Sequence, residues 1–215
     1  MENQNLTGEN LKNPWEEIKL TDYENHMKLD SVMQLQTMNA MMKEQFYQYP
    51  TKTIMILGIA GGNGLEHINP EIIEKVFGID INREYLDECA NRYAQLNGVL
   101  SLICTDLTED NIVLPYTDLV IANLFIEYVG YACFQQIVNQ VKPLYVSCVI
   151  QINTDTSFVS DSSYIHAFDH LDTVHHQISE KTLVEAMESI GYHMVLKNEA
   201  LLPNGKKLVR LDFKR

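Results

Sequence analysis

The sequence has little of what several classes of function require. Its four cysteines (Cys89, Cys104, Cys133, Cys148) are widely spaced, with no C-x-x-C, so a disulfide framework is not expected and the thiols read as reduced. Basic residues are few: 16 Lys and Arg against 29 Asp and Glu leave a formal net charge of -13. The only adjacent basic pairs are Lys206-Lys207 and Lys214-Arg215. Phosphate backbones and anionic membrane surfaces repel such a chain, so no nucleic acid and no membrane partner is expected. No apolar run can span a bilayer, because Asn123 and Glu127 interrupt the best candidate. The opening MENQNLTGENLKNPW holds no apolar signal core. A soluble, cytoplasmic protein is the expectation. The dinucleotide fingerprint G-x-G-x-x-G is also missing: from Gly62 and Gly64, its third position falls on His67.

What is present centres on Thr53 to Asp80. Ile54-Met55-Ile56-Leu57 has the length and bulk of a buried strand. A glycine-dense turn follows, Gly58-Ile59-Ala60-Gly61-Gly62-Asn63-Gly64. Then come residues at helical spacing (Leu65, Ile68, Ile72, Ile73, Val76), broken near Asn69-Pro70 into short helical pieces. A second apolar run, Val76-Phe77-Gly78-Ile79, closes on Asp80. Glycines allow a sharp turn and a close ligand approach. A helix after the turn would aim its N-terminal amides at that ligand. An acid about 20 residues on, at the end of the next strand, can accept hydrogen bonds from ribose hydroxyls. The unit suits a nucleoside.

The series Ala60-x-Gly62-x-Gly64 after Ile56-Leu57 resembles motif I of the class I S-adenosylmethionine-dependent methyltransferases of small molecules. Ala60 stands in place of that motif's first glycine, and Gly58 stands where the family usually carries an acid. The third apolar run, Val99 to Cys104, delivers Thr105-Asp106-Leu107, which resembles the family's adenine-side position. The other reading of Asp106 is an ordinary cap. The fourth, Asp118 to Asn123, leads into Asn123-Leu124-Phe125-Ile126-Glu127-Tyr128-Val129, which resembles motif IV of the small-molecule enzymes and not the N/D-P-P-Y of DNA amine methylation.

Elsewhere, residues 1–13 read as a flexible leader. Thr21 and Glu24 have capping-box spacing, and Met27 to Phe46 suggest an amphipathic helix ended at Tyr49-Pro50. Two readings stand for Tyr23, His26 and Met27: a helix that only packs over the sheet, or part of the N-terminal helical lid (14–50) that the resemblance implies. Helices are expected from about Arg83 to Asn97, through Phe134 to Val141, and after a cap at Ser179; a fifth strand is Leu144 to Gln151. From Asn153 to about Ile178 periodicity fails, which makes the segment a candidate acceptor-site cover. Its histidines include the adjacent His175-His176, which point apart on a helix, and no metal is expected. Asn204-Gly205 between His193–Leu196 and Lys207–Phe213 signals a hairpin.

The resemblance implies an α/β fold: a doubly wound, seven-stranded, mostly parallel sheet with a C-terminal antiparallel hairpin, in a 51–215 cofactor-binding domain. It implies S-adenosylmethionine as cofactor, S-adenosylhomocysteine as product and a small-molecule acceptor. Gly58, Ala60, Gly61, Gly62, Asn63 and Gly64 would hold the methionyl part, and Asp80 and Ile81 the ribose. Asp106 and Leu107 would address adenine, and Asn123 and Leu124 would line the floor. Tyr23, His26, Glu127 and Tyr128 are candidate bases or acceptor contacts. The alternatives are a binding protein without transfer activity and an NAD-dependent oxidoreductase.

Overall fold

The computed structural model describes residues 12–153 and 158–215. These form seven strands: β1 (Thr53–Leu57), β2 (Lys75–Asp80), β3 (Leu100–Cys104), β4 (Leu119–Asn123), β5 (Tyr145–Ile152), β6 (His193–Leu201) and β7 (Lys207–Lys214). They make one sheet in the order β3-β2-β1-β4-β5-β7-β6. Only β7 runs against the rest, pairing antiparallel with both β5 and β6. The doubly wound sheet with its C-terminal hairpin is therefore as expected. Strand order reverses between β1 and β4, and in open sheets of this type ligands gather at the carboxyl ends of the strands beside that switch.

Among the described residues five α-helices cover the sheet: α1 (Leu20–Met27), α2 (Gln34–Tyr47), α3 (Arg83–Arg92), α4 (Ile126–Val141) and α5 (Glu180–Ser189). Side chains alternate along β1, so Ile54 and Ile56 join one apolar layer and Met55 and Leu57 the other. The first layer takes Met38, Met41, Met42 and Phe46 from α2 with Leu86 and Cys89 from α3. The second takes Phe134 and Val138 from α4 with Leu183 and Met187 from α5. Each such side chain contributes on the order of 2 kcal/mol by leaving water, so α2 belongs to the core.

Three local expectations fail. The stretch after the glycine turn forms only a 3-10 turn, Leu65–His67, and no α-helix joins β1 to β2. Leu65, Ile68 and Ile73 are buried all the same, but against α2, whose methionines fill the layer a crossover helix would occupy. Asn69-Pro70 leaves too few residues on either side for a helix to nucleate. The turn therefore does not lead into a helix N-terminus of its own. Second, the N-terminal apolar pattern is two helices, divided where Met33 takes a left-handed φ of 53°. Third, the Thr21–Glu24 box does not form, since α1 begins at Leu20 with Lys19 as an uncapped N-cap. The capping box is one element earlier: Asn13 and Glu16 bracket the 3-10 turn Pro14–Glu16. Ser179 does cap α5, accepting from the Thr182 N–H.

Candidate functional site

The glycine turn is held by the acid it precedes in sequence. The Ala60 N–H donates to Asp80 Oδ2 at 2.8 Å, and the Asn82 N–H donates to Oδ1 at 2.9 Å. Ala60 pays for this geometry with a φ of 48°, a conformation costing an L-residue about 1–2 kcal/mol, which a charge-assisted hydrogen bond helps offset. Gly58 has a φ of +67°, and a Cβ there would meet Phe125 Cδ2 at 3.1 Å. An acid at 58, where the resemblance would put one, would be strained by the positive φ and would need the Phe125 ring to give way. Gly62 and Gly64 serve packing: a Cβ would lie 2.7 Å from Tyr93 Cε2 at Gly62 and 2.9 Å from Met42 Cβ at Gly64.

Over the carboxyl ends of β1, β2 and β4 lies a first cavity, open to solvent, whose empty space including its mouth is about 720 Å³. Gly58, Ala60, Asp80 and Ile81 form one side, Asp106 and Leu107 another, and Asn123, Leu124, Tyr23 and Tyr128 close it. Burial pushes the Asp80 carboxyl up, opposed by the backbone N–H groups of Asn82, Ala60 and Ile81. Asp106 accepts from the Thr108 N–H and hydroxyl through Oδ1, so it caps its own turn while lining the cavity. Asn123 is fixed by a reciprocal amide pair with Gln45, at 2.9 and 2.8 Å. Leu124 sits at a φ of 52°, an uncommon conformation for an apolar residue.

A second cavity, about 630 Å³, adjoins the first and shares Trp15, Tyr23, Leu124 and Tyr128 with it. His26 and Glu127 lie here, as do Gln151, Phe158, Phe168 and His175. Glu127 is buried; Oε1 accepts from the Gln151 N–H at 2.9 Å, while Oε2 has no hydrogen-bond partner among the described residues. Burial raises this carboxyl to about 7. His26 is held down by burial and then by the charge of Lys206, and its Nδ1 shares a 2.8 Å hydrogen bond with Ser162 Oγ. Burial pushes the Tyr23 and Tyr128 phenols well up, so both stay protonated at neutral pH. A third cavity, between α1, α2 and the turn, has Gly61 and Asn63 in its wall beside Glu24 and Met27.

The N-terminal segment closes the first two cavities. The Asn82 side chain donates to the Trp15 carbonyl at 2.9 Å and the Tyr85 hydroxyl to that of Ile18 at 2.8 Å. Arg92 of α3 holds both oxygens of Glu24 of α1, at 2.5 and 3.0 Å. Of the residues singled out in the sequence, all but Gly62 and Gly64 line one of the three cavities. Trp15, Phe158 and Phe168 went unnoticed as site residues, because isolated aromatics outside any motif carry no positional signal. His166 and His170 have the spacing of a helix face, but His166 lies in the 3-10 turn Ile165–Phe168 and His170 sits outside it, just before the next, Leu171–Thr173. Among the described residues no three His, Cys, Asp or Glu groups converge as metal ligands.

No family model and no curated protein matches the chain. Solved structures do. N-methyltransferase NodS from Bradyrhizobium japonicum WM9, crystallised with S-adenosyl-L-homocysteine, superposes with a TM-score of 0.64 at 11% identity, over 91% of this chain and 97% of its own. The methyltransferase domain of bacterial CtHen1-C gives 0.61 at 17% identity, over 91% and 98%. The fold is that of the class I methyltransferases. A [4+2]-cyclase, SpnF, has it as well, with a TM-score of 0.64 at 9% identity over 86% and 82% of the two chains. Among the described residues no helix is long and apolar enough to cross a membrane.

Proposed function

We propose that this chain transfers the methyl group of S-adenosylmethionine to a small-molecule acceptor. The observation that carries the reading is the pair of adjoining cavities at the switch point of the sheet, one built around Asp80 and the glycine turn, the other around Glu127. The residues fit the cofactor. Gly58 and the Ala60 backbone leave the turn open to close approach. Each Asp80 oxygen takes one of the two backbone N–H groups of Ala60 and Asn82 and keeps further acceptor capacity for ribose hydroxyls. Asp106 Oδ2 is the oxygen its Thr108 cap does not use, and it suits an adenine amine. Ile81 and Leu107 supply apolar walls for the base.

When bound, the cofactor supplies a methyl group made electrophilic by its sulfonium, which needs no activation by the protein. The chain's tasks are then alignment and exclusion of water. Leu124 and Asn123, locked by strained backbone and by Gln45, fix the floor between the cavities. Trp15 and Tyr23, tied down through α1, act as the lid, so residues 14–27 are its moving part and α2 its anchor. With a net charge of -13 and unpaired cysteines, we place the reaction in the cytoplasm, on a substrate that is not nucleic acid. NodS, solved with S-adenosyl-L-homocysteine, supports the cofactor assignment.

Protein incubated with methyl-labelled S-adenosylmethionine and a small-molecule cell extract should release S-adenosylhomocysteine in step with one labelled product. The [4+2]-cyclase with this fold favours a second reading, binding without transfer. Cofactor that binds yet stays intact in every extract would support it.

A further inference from the structure

We propose that the second cavity is the acceptor site and that its acceptor is an amine, held as an ammonium between Glu127 and an aromatic wall; this rests on the methyl-transfer reading above. Glu127 carries the argument. It lines the cavity, is only 5% exposed, and leaves Oε2 without a partner among the described residues. A buried carboxyl oxygen left unpaired is costly, and a native structure that keeps one has a reason for it, such as a catalytic role or a bound partner that completes it. A cationic donor satisfies both its charge and its lone pairs.

The rest of the wall suits the same occupant. The ring centroids of Trp15 and Tyr128 are 4.8 Å apart and those of Trp15 and Tyr23 5.7 Å, edge to face, while Phe158 stacks on His175 at 4.0 Å. Such rings bind cations through their faces. Among the described residues no lysine or arginine lines the cavity, so a carboxylate or phosphate acceptor would meet no cationic side chain in its wall. Among the described residues, the other titratable side chains that line the cavity are held neutral: His26 of α1 and His175 by burial, and Tyr23 and Tyr128 likewise. Lys206, on the turn between β6 and β7, adds to the effect on His26 but is not among the lining residues. Glu127 is left as the group that can take up a proton near neutral pH.

The chemistry balances. The bound ammonium gives one proton to Glu127 Oε2, which frees the nitrogen lone pair. That pair forms the N–C bond as the C–S bond breaks with its electrons on sulfur, and the positive charge passes from sulfur to nitrogen. The proton on Glu127 returns to water when product leaves. Because the cavities meet at Tyr23, Leu124 and Tyr128, an amine in one faces the occupant of the other.

The test is calorimetric binding to protein saturated with S-adenosylhomocysteine, using benzylamine, phenethylamine and tryptamine beside benzyl alcohol, 2-phenylethanol and tryptophol. At least one amine should bind about tenfold or more tighter than its alcohol, as for a hydrogen bond to a charged group. Glu127→Gln should abolish that preference and leave S-adenosylhomocysteine affinity within about twofold, which also reports that the variant folds. Amines that bind no better than their alcohols overturn the proposal, whether or not the variant can be made. A preference that survives Glu127→Gln overturns it too. If wild type does not bind S-adenosylhomocysteine, the methyl-transfer reading itself fails and takes the inference with it; the two failures differ in this first step.

Discussion

Replacing Glu127 with glutamine should change how folding stability depends on pH. In the folded chain the carboxyl titrates at about 7, against an ordinary value of 4.5, because burial disfavours its charged form. The folded state therefore holds this proton more tightly than the unfolded chain does. The resulting stability is fully present below about pH 4.5 and is lost as pH rises through about 7. A rise from 4.5 to about 7, at about 1.36 kcal/mol per pH unit, corresponds to on the order of 3 kcal/mol. Glutamine does not titrate, and its Oε1 can keep the bond from the Gln151 N–H. Urea unfolding of both proteins at about pH 5 and about pH 8 isolates the effect, since other groups cancel in the difference. Wild type should lose on the order of 2–3 kcal/mol relative to the variant between these two conditions. An equal difference at both pH values would show that the carboxyl is hydrated, and would refute the reasoning from burial.

Gly58→Asp, which restores the acid expected from the resemblance, should destabilise by about 1–2 kcal/mol because of its φ of +67° and the contact with Phe125. It should not tighten S-adenosylhomocysteine binding; a tighter complex would show that the turn accommodates the acid after all. Gln45→Ala removes a fully buried amide that bonds Asn123 and Ser147, and should cost about 2–4 kcal/mol in urea while weakening cofactor binding through Asn123. A loss under about 0.5 kcal/mol would place it among surface-like substitutions and contradict the buried pairing. Arg92→Ala breaks a partly exposed ion pair, so stability should change by less than about 1 kcal/mol. Release of S-adenosylhomocysteine should nonetheless quicken and α1 become easier to cleave, as for a freed lid; unchanged release would mean that Glu24 and Arg92 do not hold it.

Much of the fold could be read from the chain because parallel strands buried on both faces announce themselves as short apolar runs: Ile54 to Leu57, Val76 to Ile79, Leu119 to Asn123. The Asn204-Gly205 turn fixed the hairpin by local chemistry, with Gly205 at a φ of 81°. What periodicity could not supply was which surface each apolar residue meets. Leu65, Ile68 and Ile73 have helical spacing yet pack from an irregular segment, because α2, the element before β1, covers them. The break at Met33 falls on a residue with no breaker character, whereas the interruption of α4 falls on Gly130, with φ 73° and ψ 171°. At the site, the glycine turn and Asp80 were legible as a spaced series, though Ala60 and Gly58 acquire their meaning only from backbone angles. Glu127 stands in the first turn of α4, which begins at Ile126, and its side chain lines the second cavity. The aromatic wall was hidden because Trp15 and Phe158 lie more than a hundred residues apart in sequence.

The central claim is that the cavity over the glycine turn holds an adenosyl ligand through Asp80. Calorimetric titration of wild type and Asp80→Ala with S-adenosylmethionine, S-adenosylhomocysteine and NAD tests it most directly. The account predicts that both adenosyl ligands bind wild type, that NAD does not, and that the substitution weakens binding by roughly 1–3 kcal/mol, the cost of a lost buried hydrogen-bond partner. Absence of binding by either adenosyl ligand, or binding of NAD in their place, would contradict it.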